Sequence, residues 1–181
     1  MRKLLGLAIL VLFAALPAYG QSYSTTFNYT ENPISNGGNW INGGAGAAGI
    51  DWSNVQTNGS MAFGALTNAG ATYNDATAVL TGTWSATQSA QATVSIPSPV
   101  GSGGSEVELR IRTTITAHSI TGYEIVCSLN SGSPYMSIVR WNGPITNFTI
   151  LTPDANVFCQ NGDVIKWKQL LQLRQIIDAQ M

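Results

Sequence analysis

The stretch that decides the fold is EVELRIRTTITA, Glu106 to Ala117, in which apolar and polar residues alternate along most of the length. Successive side chains of a β-strand point to opposite faces of a sheet, so this alternation predicts a strand with one face in the core and one in water. The predicted core face consists of Val107, Leu109, Ile111, Thr113 and Ile115. The predicted water face consists of Glu106, Glu108, Arg110 and Arg112.

Shorter runs of the same kind fill the chain from about Ser22 to Asp163, and clusters of Gly, Asn, Ser and Pro separate them. This pattern is typical of antiparallel strands joined by tight turns, and it predicts an all-β sandwich. The Gly-rich segment Asn36 to Gly49 carries Trp40 and Ile41, so we expect an ordered, locally packed loop there. The other predicted strands are Thr77 to Trp84, Gln91 to Ile96, Gly122 to Leu129, Tyr135 to Trp141, Phe148 to Leu151 and Val157 to Gln160.

Composition restricts the class of protein. Only 9% of the 181 residues are charged and the formal net charge is -1, whereas about 25% of the residues of an average soluble domain are charged. A nucleic-acid-binding protein is excluded on this basis, because neutralising phosphates requires a clustered basic surface. A disordered chain is also excluded, since 44% of the residues are hydrophobic. The length fits one globular domain.

The N-terminal segment, Met1 to Gly20, has the features of a secretory signal. Two basic residues precede an apolar run from Leu4 to Leu16, and Ala18-Tyr19-Gly20 fits a small-x-small cleavage site. A transmembrane anchor is the alternative, but the run is shorter than the roughly 20 residues that a spanning helix needs. We expect a secreted, cell-surface or periplasmic protein that meets the membrane only through this signal.

The chain has two cysteines, Cys127 and Cys159. In an oxidising compartment they can form one disulfide, and two buried free thiols are the alternative. Together with His118, the only histidine, they form no zinc motif. We expect His118 to lie in a turn, because no serine or cysteine occupies a nucleophile elbow with which it could act.

The last segment, Lys166 to Met181, differs in composition from the rest of the chain. Its sequence, KWKQLLQLRQIIDAQM, contains no Gly, Ser, Thr or Asn, and its apolar residues recur at helical spacing. Those residues are Trp167, Leu170, Leu171, Leu173, Ile176 and Ile177. We predict an amphipathic helical tail over residues 166–181.

Several short motifs follow one another in an order that resembles a known family. They are Glu31-Asn32-Pro33-Ile34, Gly38-Asn39-Trp40, Ile138 to Gly143 and Gly162 to Lys166. They resemble secreted bacterial domains of the concanavalin A-like lectin/glucanase superfamily, which includes the laminin-G-like jelly rolls. The resemblance covers about residues 25–166 and implies a jelly-roll domain over residues 21–165. It implies less about function, because one fold hosts many activities.

Members of that superfamily continue after a Gly-Asp-Val-Ile-Lys segment with further strands, whereas this chain continues with the tail. We therefore expect an incomplete jelly roll, truncated at its C-terminus, and a tail derived from a frameshift or a gene fragment. Missing closing strands predict exposed strand edges and low stability. A gene in which no alternative frame continues the β pattern would contradict the frameshift.

Glucanases of the superfamily cleave sugars with carboxylates that alternate along one strand, and the nearest match here is Glu106-Val107-Glu108. The two carboxylates are about 6.6 Å apart in backbone rise. Arg110, Ile111 and Arg112 occupy the stretch in which a further acid would follow, so a solvated, cross-strand-paired face is the alternative. A catalytic role predicts that both glutamates line a groove.

Two tryptophans provide the candidate ligand site. Trp40 and Trp52 lie in Gly/Asn-rich segments, where their rings can stack on a sugar while Asn39 and Asn42 hydrogen-bond its hydroxyl groups. Packing within the loops is the alternative for both rings. The other candidates, Trp84 and Trp141, end predicted strands and are assigned to the core.

No cofactor is expected. The resemblance implies calcium as the alternative, since laminin-G-like domains often hold this ion through Asp and Asn oxygens. Asp51, Asp75 and Asp154 lie in candidate loops, but no Asp-x-Asp-x-Asp run occurs.

These features predict a secreted, non-catalytic module that binds a carbohydrate or another surface ligand. A purely structural or adhesive surface module and a glycoside hydrolase-like enzyme are the alternatives. Full burial of Trp40 and Trp52 would favour the structural module, and a groove lined by Glu106 and Glu108 would favour the enzyme.

Overall fold

The computed structural model describes residues 20–43, 53–64, 76–96, 105–116, 118–144 and 146–168. These residues form eleven β-strands and no helix, which confirms the all-β prediction. The predicted signal up to residue 19 and the tail beyond residue 168 lie outside the described ranges. Within those ranges no helix is long and apolar enough to cross a membrane.

The strands are distributed over three sheets. In chain order they are β1 (Thr30–Glu31), β2 (Trp40–Asn42), β3 (Ser53–Asn58), β4 (Ala62–Gly64), β5 (Ala76–Leu80), β6 (Ser89–Thr93), β7 (Glu106–Thr116), β8 (Ser119–Ser128), β9 (Met136–Gly143), β10 (Phe148–Ile150) and β11 (Val164–Lys168).

The longest strands form a four-stranded antiparallel sheet in the order β10-β9-β8-β7. Strands β7 and β8 make a hairpin whose turn contains His118, as the sequence predicted. Successive residues of each strand point to opposite sides of the sheet, so the sheet has two distinct faces.

One face of this sheet packs against the two-stranded sheet formed by β6 and β11. The core between them contains Val94, which follows β6, and Ile165 of β11, and it includes the Cys127–Cys159 disulfide. The Cα atoms of the two cysteines are 6.0 Å apart. The disulfide therefore ties β8 to the loop that precedes β11.

The remaining strands form a five-stranded sheet, and it is mixed rather than antiparallel. Strand β3 pairs antiparallel with β1 and β4 and parallel with β5, which in turn pairs antiparallel with β2. The prediction of antiparallel strands throughout is therefore wrong for the β3–β5 pair. Within the predicted ordered loop, residues 40–42 form a strand by pairing with β5, and the local sequence does not reveal this pairing because the partners are distant along the chain.

A β-bulge interrupts the alternation in β7. Ile111 is paired with Tyr123, but the next paired residue is Thr114, opposite Thr121. The extra residue moves Ile115 to the other face, where it packs on the core cluster that contains Ile120 and Trp141. The prediction that Ile115 shares a face with Ile111 is wrong, because local alternation does not reveal an inserted residue.

Two predicted segments have a different secondary structure from the one expected. Residues 157–160 form no strand. Cys159 is held by its disulfide and by a hydrogen bond of 2.8 Å from its backbone N–H to the carbonyl oxygen of Ser128. The predicted tail begins too early, because Lys166, Trp167 and Lys168 continue β11 opposite β6. Burial alternates along this strand with Trp167 inside, which is the period of a strand and not of a helix.

Candidate functional site: an acidic pocket on the four-stranded sheet

Charged side chains from two adjacent strands meet on the face of the four-stranded sheet opposite the disulfide; we call it the acidic face. Glu108 and Arg110 are two residues apart on β7, so they lie on the same side of the strand. Arg110 is paired with Glu124 of β8, and Glu124 is paired with Val139 of β9. Directly opposed residues share a face, and the ladder therefore gathers these side chains.

The acidic face contains a cavity of about 280 Å³, which we call the acidic pocket. Its volume is close to the lower end of small-molecule sites, about 300 Å³. Four carboxyl groups contribute to its lining, those of Glu106, Glu108, Glu124 and Asp154. Aromatic and apolar side chains from β9, β10 and the segment before β9 provide most of the remaining wall.

The three glutamates lie at different depths. Glu106 is exposed at the rim, the Glu108 side chain is 15% exposed, and Glu124 is only 3% exposed at the base. A buried carboxyl group requires hydrogen-bond or ionic partners, since leaving it uncompensated is costly. Glu124, at the base of the pocket, is therefore the acid that most needs hydrogen-bond or ionic partners.

A single guanidinium supplies those partners. Arg110 Nη2 lies 2.5 Å from Glu108 Oε2, and Arg110 Nη1 lies 2.6 Å from Glu124 Oε2. The Arg110 side chain is 8% exposed, so the arginine is buried between the two acids. Its planar fork suits this bridging role because its N–H groups diverge in one plane.

Trp141 completes the network. Its indole Nε1 donates a hydrogen bond of 2.8 Å to Glu124 Oε2, and the Arg110 Cζ atom lies 5.5 Å from the centroid of its ring. The ring of Phe148 packs beside it at 5.2 Å between centroids. Trp141 is 4% exposed, which agrees with its assignment to the core. It is also one of the residues that line the pocket.

Hydroxyl groups engage the acids at the rim. The Tyr135 hydroxyl donates to Glu106 Oε1, and the Ser137 hydroxyl donates to Asp154 Oδ1. These bonds orient both carboxylates, and each carboxylate retains a second oxygen that can accept from a ligand.

Burial dominates the electrostatics of the site. Desolvation raises the pKa of Glu124 to about 8; the positive charge of Arg110 opposes this shift and the negative charge of Glu108 adds to it. Desolvation also raises the pKa of Glu106, with a further contribution from the negative charge of Glu108. At neutral pH Glu124 is mostly protonated, and Arg110 then compensates chiefly the charge of Glu108.

The structure therefore corrects the prediction of a water-facing side of β7, and it places both candidate glutamates of that strand in one pocket. The face predicted to meet water is largely buried at Glu108 and Arg110, because cross-strand pairing with Glu124 encloses them. The exposed positions of that face are Glu106 and Arg112. Glu106 and Glu108 both line the pocket, which is the arrangement that the catalytic alternative requires.

The tryptophan site predicted from the loops is only partly described. Trp40 lies in β2, half-buried, with its ring 5.6 Å from Tyr23 and 6.3 Å from Phe27 between centroids. Its Nε1 donates to the Tyr23 hydroxyl at 3.0 Å. Trp52 lies outside the described residues, so a shared Trp40–Trp52 platform stays a prediction.

The two asparagines of that predicted site make local hydrogen bonds. Asn39 is exposed and its Nδ2 donates to the carbonyl of Asn36 in the same turn. Asn42 Nδ2 donates to Asn54 Oδ1, and Asn42 Oδ1 accepts from the backbone N–H of Val55. Asn42 therefore joins β2 to β3.

The calcium alternative has one described candidate, since Asp51 and Asp75 lie outside the described residues. Asp154 is bound by the Ser137 hydroxyl at the pocket. Within the part of the chain that the structure describes, no group of three or more His, Cys, Asp or Glu residues is placed to hold a metal ion.

Sequence reasoning missed the base and the wall of the pocket. Glu124 was available as a signal, because it is a charged residue inside the apolar run Gly122 to Leu129. Tyr135, Ser137 and Phe148 carry no such signal, since their approach to the acids depends on the pairing of β8, β9 and β10.

No protein-family model, curated protein or solved structure matches this chain. The site must therefore be interpreted from its own chemistry.

Proposed function

We propose that this protein is a secreted, non-catalytic jelly-roll module that binds carbohydrate in the acidic pocket. The observation that carries the proposal is the meeting of an aromatic wall and hydrogen-bond acceptors in one cavity, with Trp141 and Phe148 beside Glu106 and Glu108. Sugar rings have apolar C–H faces and polar hydroxyl edges, and such a cavity matches both.

The acceptors are suited to sugar hydroxyl groups. The Glu106 and Asp154 carboxylates are exposed and already oriented by Tyr135 and Ser137. Hydrogen bonds to a charged acceptor are about twice as strong as neutral ones, so a few of them fix a ligand in place. Arg110 holds Glu108 and Glu124 in place at the base of the pocket.

The proposal includes a jelly-roll fold. The four-stranded antiparallel sheet has one face packed on β6 and β11 and the other open at the pocket, as in a sandwich with a ligand face. Secretion is supported by the signal-like N-terminus and by the disulfide, which is a feature of oxidising compartments.

Isothermal titration of the purified protein with a panel of neutral oligosaccharides tests the proposal. We expect binding to at least one of them, and Phe148→Ala, which shortens the pocket wall, to weaken it. Phe63→Ala is the matched control, because Phe63 is a 38% exposed ring on β4, away from the pocket. Absence of binding to neutral and aminated oligosaccharides alike would contradict the proposal and favour the structural or adhesive module.

A glycoside hydrolase is the second candidate, favoured by the position of Glu106 and Glu108 in the pocket. Glycosidase carboxyl pairs are separated by about 5 Å or more. The carboxyl groups of Glu106 and Glu108 instead lie within hydrogen-bonding reach of each other, and Glu108 also shares the Arg110 guanidinium with Glu124. This closeness favours binding over cleavage. Release of reducing ends from a bound oligosaccharide, abolished by Glu106→Gln or Glu108→Gln, would establish the enzyme instead.

A further inference from the structure

We propose that the acidic pocket selects carbohydrate with a free amino group, such as a de-N-acetylated amino sugar, over neutral sugar. This inference rests on the proposed function and specifies its ligand class. It depends on the cavity, its aromatic wall and its charge, and not on the acidic residues alone.

The charge of the pocket is unbalanced. Four carboxyl groups line it, and none of the described residues in its lining is a lysine, arginine or histidine. Arg110 is not one of the lining residues, and it already contacts both Glu108 and Glu124. The four carboxyl groups outnumber the one guanidinium that contacts them, so the pocket is short of positive charge.

A partly enclosed pocket amplifies this imbalance. Charges interact more strongly where water is excluded, and the Glu108 side chain is only 15% exposed. Burial is the main cause of the raised pKa of Glu124 at the base, and the negative charge of Glu108 raises it further. A ligand that brings a cation relieves the repulsion, whereas a neutral ligand does not.

The shape of the site favours an organic cation over a metal ion. Among the described residues no cluster of acids is placed to hold a metal, although four carboxyl groups line the cavity. An ammonium group needs only two or three acceptors at hydrogen-bond distance and carries three N–H donors. The aromatic wall requires that this ammonium be attached to a body with an apolar face, and a pyranose ring provides one.

The volume limits how much of the ligand enters. A cavity of about 280 Å³, at the lower end of small-molecule sites, has room for one sugar unit and not for several. We therefore place one aminated unit in the pocket, with its ammonium toward Glu106 and Glu108. The rest of an oligosaccharide would extend past the rim.

Calorimetric titration with three tetrasaccharides tests the inference: β-1,4-linked glucosamine, N-acetylglucosamine and glucose. At about pH 6, where aliphatic amines are protonated, we expect the glucosamine tetramer to bind about tenfold more tightly than the others, because its hydrogen bonds are charge-assisted. The preference should shrink between about 0.02 M and about 0.15 M salt.

Two variants locate the effect. Glu106→Gln, at the exposed rim, and Glu108→Gln are each expected to reduce the preference for glucosamine several-fold, because binding of the cationic tetramer loses more than neutral binding when a carboxylate charge is removed. Glu31→Gln is the matched control, because Glu31 lies on β1 outside the pocket and accepts backbone N–H bonds that a glutamine oxygen can also accept.

The outcomes separate the two proposals. Equal binding of all three tetramers would overturn the amino-sugar inference and leave carbohydrate binding intact. No binding of any tetramer, together with silence across the neutral panel, would overturn both. A preference that both pocket variants retain, or that Glu31→Gln abolishes, would place the selectivity elsewhere and also overturn the inference.

Discussion

Arg110 and Glu124 are directly paired across β7 and β8, and Arg110 Nη1 lies 2.6 Å from Glu124 Oε2 at the base of the pocket. Both side chains are nearly inaccessible, at 8% and 4% exposure. The same guanidinium holds Glu108, so removing it leaves buried acids without their cation. The stability of the sheet and the charge of the pocket are therefore linked through one residue.

Replacing Arg110 tests this link. We expect Arg110→Met to lower the free energy of unfolding by about 3 kcal/mol, the lower end for a broken buried ion pair, because protonated Glu124 leaves only Glu108 uncompensated. Urea unfolding measures the change. Arg112→Met, on the exposed side of the bulge with its guanidinium 6.0 Å from the Tyr123 ring, should cost less than about 1 kcal/mol. Equal effects of the two substitutions would contradict the assigned role of Arg110.

The raised pKa of Glu124 predicts a pH dependence of stability. Its pKa is about 8 in the folded protein against 4.5 ordinarily, so the folded state binds a proton that the unfolded state has released between these values. The stabilisation that this bound proton gives the folded state is fully present below about pH 4.5. It is lost as pH rises toward 8, at up to about 1.4 kcal/mol of unfolding free energy per pH unit.

Glu124→Gln isolates this contribution, since an amide mimics the protonated acid and does not titrate. The difference in unfolding free energy between wild type and variant should move in favour of the variant as pH rises from 5 to about 8, and should level off above that. Chemical unfolding across this pH range measures it. A difference that is constant with pH would show that Glu124 is already ionised in the folded protein.

Gly122 is required opposite the bulge of β7. Its φ is +132°, and a Cβ there would lie 2.8 Å from the Arg112 carbonyl oxygen and 2.8 Å from the Thr113 Cα. We expect Gly122→Ala to destabilise the protein by about 3 kcal/mol, because backbone strain and a clash with main-chain atoms both contribute.

Gly132→Ala is the matched control for that substitution. Gly132 is exposed, and its nearest obstacle is the side-chain Oδ1 of Asn130 at 3.3 Å. A change within about 0.5 kcal/mol is expected there. Thermal unfolding of both variants makes the comparison, and a small effect at Gly122 would mean that the bulge relaxes easily.

The disulfide is expected to stabilise the fold. Cys127 and Cys159 are 32 residues apart, and closing a loop of that length in the unfolded chain corresponds to about 3.7 kcal/mol in the chain-entropy model. Unfolding the same protein with and without reductant measures this contribution. Identical urea midpoints for the reduced and oxidised forms, once complete reduction is verified by thiol titration, would contradict the expectation.

Particular residues show how far sequence reasoning reaches. Alternation identified β7 and most of β8 and β9, because these strands carry long, regular patterns. It did not detect the bulge that moves Ile115, nor strand β11, since both depend on a partner strand. The glutamates of β7 were identified as candidates, but Glu124 and the aromatic wall were not.

The sequence by itself determined that the described part of this chain is all-β. It also determined that Glu106, Glu108 and Arg110 share one side of a strand, because side-chain direction in a strand follows from local backbone geometry. Only the tertiary structure decided that this side is a pocket and not a water-facing surface. Burial and pKa depend on what lies opposite, and Glu124 and Trp141 reach Arg110 through pairings between residues distant along the chain.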